Sequence, residues 1–299
     1  MQCIHPVQRL VKNKQTGLRE YVTTPCGLCT PCRLNNSHSW GVRIMHEAKM
    51  YKECVFITLT YDEDHLPAGR VSRPTLVKED LQNFMKRLRY FIEPDKVRFF
   101  GCGEYGTLNK RPHYHLIIFG LSLHDKRVFT NAIYDHKSKG YYCLCKAWDK
   151  GLVHCGFVSV GSANYVAQYQ LKKIKGKGAQ DKYKSLGIVP EFALMSTKPG
   201  IGLKFMELHG DEFIRDGYII QQGKKVGIPR YYKDKLDIKN SDTYKKRLEE
   251  NTVARLEDAV ALDTIEKLQQ SVQHHLDLVE ELAYHYEYLN NLKGKNDEI

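Results

Sequence analysis

The alternation of apolar and polar positions predicts a sheet at the centre of the chain. Residues 54–61 form an uninterrupted β-branched and apolar run, which is typical of a strand buried on both faces. Apolar residues then recur at helical spacing over 81–92, with basic residues between them, and this predicts an amphipathic helix. Residues 97–105 and 111–120 predict two more strands, joined by a loop at 106–112.

The second half of the chain carries weaker patterns. Residues 156–160 predict another strand, whereas residues 129–148 fit neither the helical nor the strand period. Ser162 and Asn164 are candidate N-caps for a following helix, which ends before the Gly-Lys stretch at 175–178.

Towards the C-terminus, residues 217–232 predict two strands joined by a turn at 222–224. Residues 242–292 contain no proline or glycine and predict one long helix or a helical hairpin. We expect an α+β fold, in which helices pack on a mainly antiparallel sheet. The expected domains are a Cys-rich N-terminal module (1–45), a central domain (46–235) and a helical C-terminal extension (236–299).

The chain is strongly basic. Its 299 residues carry a net charge of +11 and include 19 tyrosines. A positive excess favours a polyanionic partner and phenol rings can stack on bases, so nucleic-acid binding is favoured over a merely soluble basic protein. No apolar run approaches a membrane span and the N-terminus lacks a signal-peptide pattern, so we expect a cytoplasmic protein without membrane contact.

Two histidines stand in the predicted strand at 111–120. Because side chains alternate along a strand, His113 and His115 share a face, with about 6.6 Å between their positions. Glu104 on the preceding strand adds a carboxylate, and this ligand set leaves open positions on Mg²⁺ or Mn²⁺. The same ligands suit Zn²⁺ or Fe(II), and a histidine in a sheet is often only a hydrogen-bonded residue.

Tyr165 and Tyr169 lie one helical turn apart, with Cβ atoms about 5–6 Å from each other. Tyrosine can act as a covalent nucleophile, but a phenol with a pKa of about 10 needs a nearby metal or lysine at neutral pH. Lys172 and Lys173 follow on the same helix. The alternative is an amphipathic helix that simply packs two aromatic rings.

Together these motifs resemble those of the HUH endonuclease superfamily, and within it the replication initiators of microviruses, especially the gokushovirus type. Residues 56–61 resemble the first family motif and His113-Tyr114-His115 the His-hydrophobic-His motif. Tyr165-Val166-Ala167-Gln168-Tyr169 with Lys172-Lys173 is similar to the two-tyrosine motif. The wider likeness covers residues 1 to about 235, including 195–202 and 228–232.

The resemblance implies that residues 46–235 are an HUH endonuclease domain for rolling-circle replication. One tyrosine would attack single-stranded origin DNA of the virus, keep the 5′-phosphate as phosphotyrosine and release a 3′-OH for the host polymerase. The second tyrosine would cut the regenerated origin, and the ends would be rejoined without ATP. The implied cofactor is Mg²⁺ or Mn²⁺, the implied location the cytoplasm of the bacterial host, and a host helicase would unwind the duplex.

The tyrosine motif departs from the phage pattern at one position. That pattern has a lysine three residues after the first tyrosine, where this chain has Gln168. Only Tyr169 keeps the Tyr-x-x-Lys spacing, through Lys172. We therefore expect both tyrosines and Lys172 to be catalytic, with the primary role on Tyr169.

The nine cysteines predict thiols or metal ligands and no disulfide framework. Cys26, Cys29 and Cys32 lie in a proline- and glycine-rich segment, and Cys3 supplies a fourth thiolate. Four thiolates suffice for a closed tetrahedral Zn²⁺ site. The alternatives are a [4Fe–4S] cluster or reduced structural thiols.

DNA contacts are expected from basic side chains near these motifs: first Lys110, Arg111, Lys173 and Lys175, and then Lys86, Arg87, Arg89, Lys172 and Lys177. Two other functions fit the residues. One is a non-catalytic, zinc-containing DNA-binding regulator in which the tyrosines only pack. The other is a metal hydrolase or Fe(II) oxygenase that uses the two histidines and Glu104 without a covalent tyrosine.

Overall fold

The structure is a computed structural model, and it describes residues 2–12, 17–70, 73–107, 109–236, 242–247, 249–250 and 253, with backbone alone at 170 and 171. The strands are β1 (Val7–Lys12), β2 (Arg19–Thr24), β3 (Cys54–Thr60), β4 (Arg98–Tyr105), β5 (Pro112–Phe119), β6 (Phe129–Asp135), β7 (Gly140–Cys145), β8 (Trp148–Phe157), β9 (Phe192–Met195), β10 (Ile219–Gln221) and β11 (Lys224–Val226). The helices are α1 (Thr30–Ala48), α2 (Lys78–Phe91), α3 (Val160–Ala167), α4 (Tyr169–Lys172), α5 (Ala179–Leu186), α6 (Leu203–Asp216) and α7 (Arg230–Lys235).

The chain divides into two compact units, one of Met1–Phe213 with Tyr218–Asp237 and one of Ile214–Gly217 with Ile238–Ile299. The second unit is described at few positions, among which residues 242–247 are helical. Most of the predicted C-terminal helix therefore lies outside the described residues. The predicted domain boundaries stay predictions.

Seven strands form one sheet in the order β6-β7-β8-β3-β5-β4-β9, and every neighbouring pair is antiparallel. The apolar run at 54–61 supplies β3, the fourth of the seven strands, as its composition predicts. Helices lie against this sheet, so the predicted α+β class is confirmed.

Both faces of the sheet are buried over its middle strands. One face carries Val55 and Ile57 of β3 and packs in an apolar cluster with the buried side of α2. The opposite face packs against α1 and α3 in a second cluster, which includes Ile117 of β5. Because side chains alternate, His113 and His115 share a face with Ile117. The histidines therefore lie beside α3, the helix that carries Tyr165.

Local predictions fail in the segment before this helix. The strand predicted at 156–160 is the end of β8, which begins at Trp148, and residues 129–148 form β6, β7 and the start of β8. The N-cap is Ser159 and not Ser162 or Asn164, because Ser159 and Ser162 bond reciprocally in a capping box.

Two small hairpins stand apart from the main sheet. The strand-turn-strand predicted at 217–232 forms β10 and β11, although its end becomes α7. The hairpin of β1 and β2 was not predicted. Among the described residues, none of the helices is long and apolar enough to span a membrane.

Candidate metal and tyrosine site

Sheet register brings three of the predicted ligands together. The pairing of β4 with β5 sets Glu104 opposite His113, and the pairing of β5 with β3 sets Thr58 opposite His115. Directly paired residues in an antiparallel sheet share a face. The three ligands and Thr58 therefore converge on the α3 side of the sheet.

The ligand atoms are close enough to share one cation. The Nε2 atoms of His113 and His115 each lie 3.3 Å from Oε1 of Glu104. The three ligand atoms lie within 4.8 Å of one another. Separations of this size match ligands held at about 2.0–2.2 Å from a common divalent ion.

Partners on the far side of each imidazole orient it. Nδ1 of His113 lies 3.0 Å from the carbonyl oxygen of Arg111, which can only accept, so Nδ1 carries a proton. Nδ1 of His115 lies 3.0 Å from Oγ1 of Thr58. Each Nε2 is thereby aimed at the carboxylate, the arrangement that supporting hydrogen bonds give to metal-ligating histidines. Thr58 was missed in the sequence, although its parity in β3 pointed to this face.

Lys172 also reaches the carboxylate. Its Nζ lies 2.6 Å from Oε1 of Glu104. Burial would raise the pKa of Glu104, but hydrogen bonds from the two histidines and Lys172 outweigh it and hold that pKa well below its usual range. Burial lowers the pKa of His115, which favours the neutral, metal-binding ring. The donor set therefore fits a divalent cation.

Tyr165 places its phenol at this site. Its hydroxyl oxygen lies 3.4 Å from Nε2 of His115, and its ring meets that imidazole edge-on at 4.9 Å between centroids. The side chain stays accessible at 43% exposure. Burial, and then the negative charge of Glu104, raises the pKa of Tyr165 to about 12. The Nζ of Lys172 lies 5.9 Å from the Tyr165 ring centroid, and its positive charge offsets part of this effect.

Tyr169 has a different environment. It is 7% exposed and belongs to the apolar cluster on the α3 side of the sheet. α3 ends at Ala167 and a separate short helix, α4, begins at Tyr169. The structure therefore brings Tyr165 to His115, whereas the residue spacing placed the greater weight on Tyr169. The lysine that favoured Tyr169 by its spacing pairs with Glu104 instead.

The face that carries the site continues uncovered beyond it. One row of directly paired residues crosses six strands from β4 to β6, namely Cys102, His115, Thr58, His154, Tyr142 and Ile133. Tyr142 and Ile133 are 45% and 72% exposed. Strand spacing sets Tyr142 about 14 Å from His115, three strands away. An accessible aromatic surface thus leads away from the phenol of Tyr165. We call Tyr142 and Ile133 with Leu144 and Leu152 the open sheet face.

The four predicted cysteines also converge. The Sγ atoms of Cys3 and Cys29 lie 3.7 Å apart, those of Cys26 and Cys32 lie 4.0 Å apart, and all four lie within 4.8 Å of one another. Backbone N–H groups of Leu28 and Cys29 donate to Sγ of Cys26. Such bonds favour a thiolate, and they lower the pKa of Cys26.

The predicted DNA-contacting residues are in varied states. Arg111 donates to Glu63 and to the carbonyl of Tyr61, so its guanidinium already has partners. Lys110 is exposed, while Lys173 and Lys175 are half-buried. Burial and then the positive charges of Arg33 and Lys173 lower the pKa of Lys175.

Comparison with known proteins identifies the family. A family model for replication-associated proteins of the ORF2 type matches residues 54–174, the span from β3 to just beyond α4. No solved structure is significantly similar to the chain.

Three relatives are replication-associated proteins of bacterial viruses. ORF2 of Spiroplasma virus 4 is 32% identical over 271 residues, 82% of this chain and 83% of the relative. VP4 of Bdellovibrio phage phiMH2K is 30% identical over 253 residues, 78% of this chain and 76% of the relative. ORF4 of Chlamydia phage 1 is 28% identical over 224 residues, 71% of this chain and 53% of the relative. This chain therefore belongs to the family of microvirus replication-associated proteins.

Proposed function

We propose that the protein is the origin-nicking endonuclease of phage replication and that Tyr165 is its first nucleophile. The observation that carries this proposal is the phenol of Tyr165 at 3.4 Å from a histidine of the His113, His115 and Glu104 cluster. Family membership supports the role in replication, and the exposed side chain of Tyr165 gives DNA access to the nucleophile.

The reaction is a transesterification. The phenolic oxygen of Tyr165 forms a bond to phosphorus, the bond from phosphorus to the 3′ oxygen breaks, and the 5′-phosphate end stays on the tyrosine. The phenolic proton ends on the leaving 3′ oxygen, which becomes a 3′-OH for the host polymerase. The number of phosphate ester bonds is unchanged, so rejoining needs no ATP.

Glu104, His113 and His115 would hold Mg²⁺ or Mn²⁺. The bound cation would withdraw charge from a phosphate oxygen and favour the phenolate. Lys172 adds a second positive charge beside Glu104 and the Tyr165 ring. This positive environment opposes the two influences that raise the pKa of Tyr165, burial and the Glu104 charge.

Tyr169 would serve the second cut. Because it is packed in the apolar cluster, α4 has to shift before its phenol can reach a phosphate. The helix boundary at Gln168 is the natural place for this movement. The two cuts would thus be ordered by burial, with Tyr165 acting first.

Single-stranded DNA would approach along the open sheet face. Aromatic and aliphatic side chains accept bases by stacking, whatever their sequence. A host helicase would expose the strand, and we place the reaction in the cytoplasm of the bacterial host. The four cysteines would bind structural Zn²⁺, because zinc–sulfur bonds of about 2.3 Å give tetrahedral sulfur separations of roughly 3.8 Å, close to the observed 3.7 and 4.0 Å.

The test incubates the full chain with labelled single-stranded origin DNA and Mn²⁺, followed by denaturing electrophoresis. We expect an adduct that survives denaturation with wild type and disappears with Tyr165→Phe. DNA binding without cleavage would indicate the non-catalytic regulator instead. Cleavage without an adduct would indicate a metal hydrolase.

A further inference from the structure

The N-terminal hairpin of β1 and β2 is an exposed element with a closed base. All six residues of β1 and five of the six of β2 are exposed. A two-stranded hairpin alone is marginally stable in water. Here Cys3 precedes β1, and Cys26 follows β2 and leads into α1, so the four-cysteine cluster ties both ends of the hairpin together. We call residues 7–12 and 19–24 the ribbon.

The two faces of the ribbon differ in charge. The strand pairing puts Gln8 with Thr23, Leu10 with Tyr21, and Lys12 with Arg19, all on one face. This face has two cations, no carboxylate, and an exposed central pair in which Leu10 is 49% and Tyr21 74% exposed. The ribbon's carboxylate, Glu20, lies on the other face opposite Val11.

The second face identifies which side points away from the protein body. Arg9 and Val11 from that face line a groove of about 820 Å³, together with α1 and the segment around Arg230. The face with Lys12 and Arg19 therefore points outward. None of the residues lining the groove, all of them described, is acidic. A positive potential thus extends over both sides of the ribbon.

Duplex DNA fits these properties. The major groove of B-DNA admits a two-stranded β-ribbon. Lys12 and Arg19 can neutralise phosphates, while Gln8 and Thr23 offer an amide and a hydroxyl to base edges. An apolar protein partner would instead select a face without paired cations at one end.

We propose that the outward face of the ribbon binds duplex DNA in the major groove and holds the origin while the sheet face acts on a single strand. This builds on the proposed endonuclease, but it concerns residues that contribute nothing to the metal and tyrosine site. The four-cysteine cluster fixes the ribbon's base for this task.

The test compares wild type with the double variant Lys12→Glu/Arg19→Glu of the full chain. Binding to a labelled mixed-sequence duplex of about 20 base pairs, roughly two helical turns, is followed by fluorescence anisotropy at several salt concentrations. We expect the variant to bind at least about tenfold more weakly at about 0.1 M salt, and its slope of log K against log salt should shrink by about 1.8, the value for two lost phosphate contacts.

The matched control is Lys182→Glu/Lys184→Glu, which makes the same charge change at exposed residues of α5. The milder Lys12→Gln/Arg19→Gln pair and the zinc content of each variant separate lost contacts from a lost ribbon fold. Wild-type duplex affinity in the ribbon variants, or an equal loss in the α5 control, would overturn the inference. Cleavage of single-stranded DNA is measured in parallel, so that a missing adduct rejects the nicking proposal without deciding the duplex result.

Discussion

Tyr165 and Tyr169 differ in what surrounds their phenols. Tyr165 contacts His115 and is 43% exposed, while Tyr169 is 7% exposed within an apolar cluster. A nucleophile has to reach phosphorus, so burial decides between two residues of identical chemistry. The proposed order of the two cuts follows from this difference.

Tyr165→Phe should lower single-strand cleavage by more than about 1,000-fold, because it removes the attacking oxygen while keeping the ring. Tyr169→Phe should lower the first cut by less than about tenfold, the effect of one buried hydroxyl. Adduct yield on an origin oligonucleotide measures both. The reverse order of effects would restore the primary role to Tyr169.

His46 is a second residue whose surroundings set a measurable property. Its imidazole stacks with Phe205, Phe213 and Tyr232, and Nδ1 lies 3.2 Å from the Tyr232 hydroxyl. Burial, and then the positive charges of Lys49 and His209, lowers the pKa of His46 to about 3. The unfolded chain takes up this proton at a pH of about 6.5, whereas the folded chain does not.

The free energy of unfolding should therefore fall as the pH drops from about 6.5 towards about 3, and the His46 contribution between about pH 6.5 and about pH 4.5 is roughly 2 kcal/mol. Urea unfolding of wild type and His46→Phe at both pH values measures it, and the variant should lose this part of the pH dependence. An unchanged pH dependence in His46→Phe would contradict the assignment.

At the level of elements, the strand register arranges the site. The β4–β5 and β5–β3 pairings align Glu104 with His113 and Thr58 with His115. The β8 and β7 pairings extend the same row to Tyr142. A shift of one residue in any of these pairings would move a whole strand's side chains to the other face. The open sheet face is thus a consequence of pairing, with α1 and α3 covering only the neighbouring strands.

Tyr142→Ala should weaken binding of single-stranded DNA by about 1–3 kcal/mol, the value of one base stacked on an aromatic ring. Tyr90→Ala is the matched control, since Tyr90 is a 73% exposed tyrosine on α2, which packs on the opposite face of the sheet. Anisotropy of a labelled oligonucleotide compares the two. Equal affinities would remove the open sheet face from the DNA path.

Across the whole molecule, the described part combines a sheet that carries the candidate site with a cysteine-clamped ribbon in one basic chain. The net charge of +11 suits both proposed DNA contacts. The cysteine cluster links the ribbon to the N-terminus of α1, because Cys29 is the N-cap of that helix and Cys32 lies in its first turn. The fold of the N-terminal region should therefore depend on bound metal.

Purified protein should contain about one zinc ion per chain, and Cys29→Ser should lose most of it. Proteolysis should then increase within residues 2–24, since the ribbon buries little without its clamp. Cys54→Ser is the control, because Cys54 lies in β3 and outside the cluster. Wild type without bound zinc, or Cys29→Ser with a full complement, would contradict the site.

Features that depend on local period and spacing could be predicted from the sequence alone. Strand alternation put His113 and His115 on one face, the apolar run at 54–61 marked the central strand, and cysteine spacing predicted the four-thiol cluster. Three other features emerged only in the folded chain: which tyrosine meets the metal ligands, the pairing of Lys172 with Glu104, and which strands stay uncovered. These features depend on how α3 and α4 pack against a sheet assembled from distant segments, and residue spacing along the chain does not encode that packing.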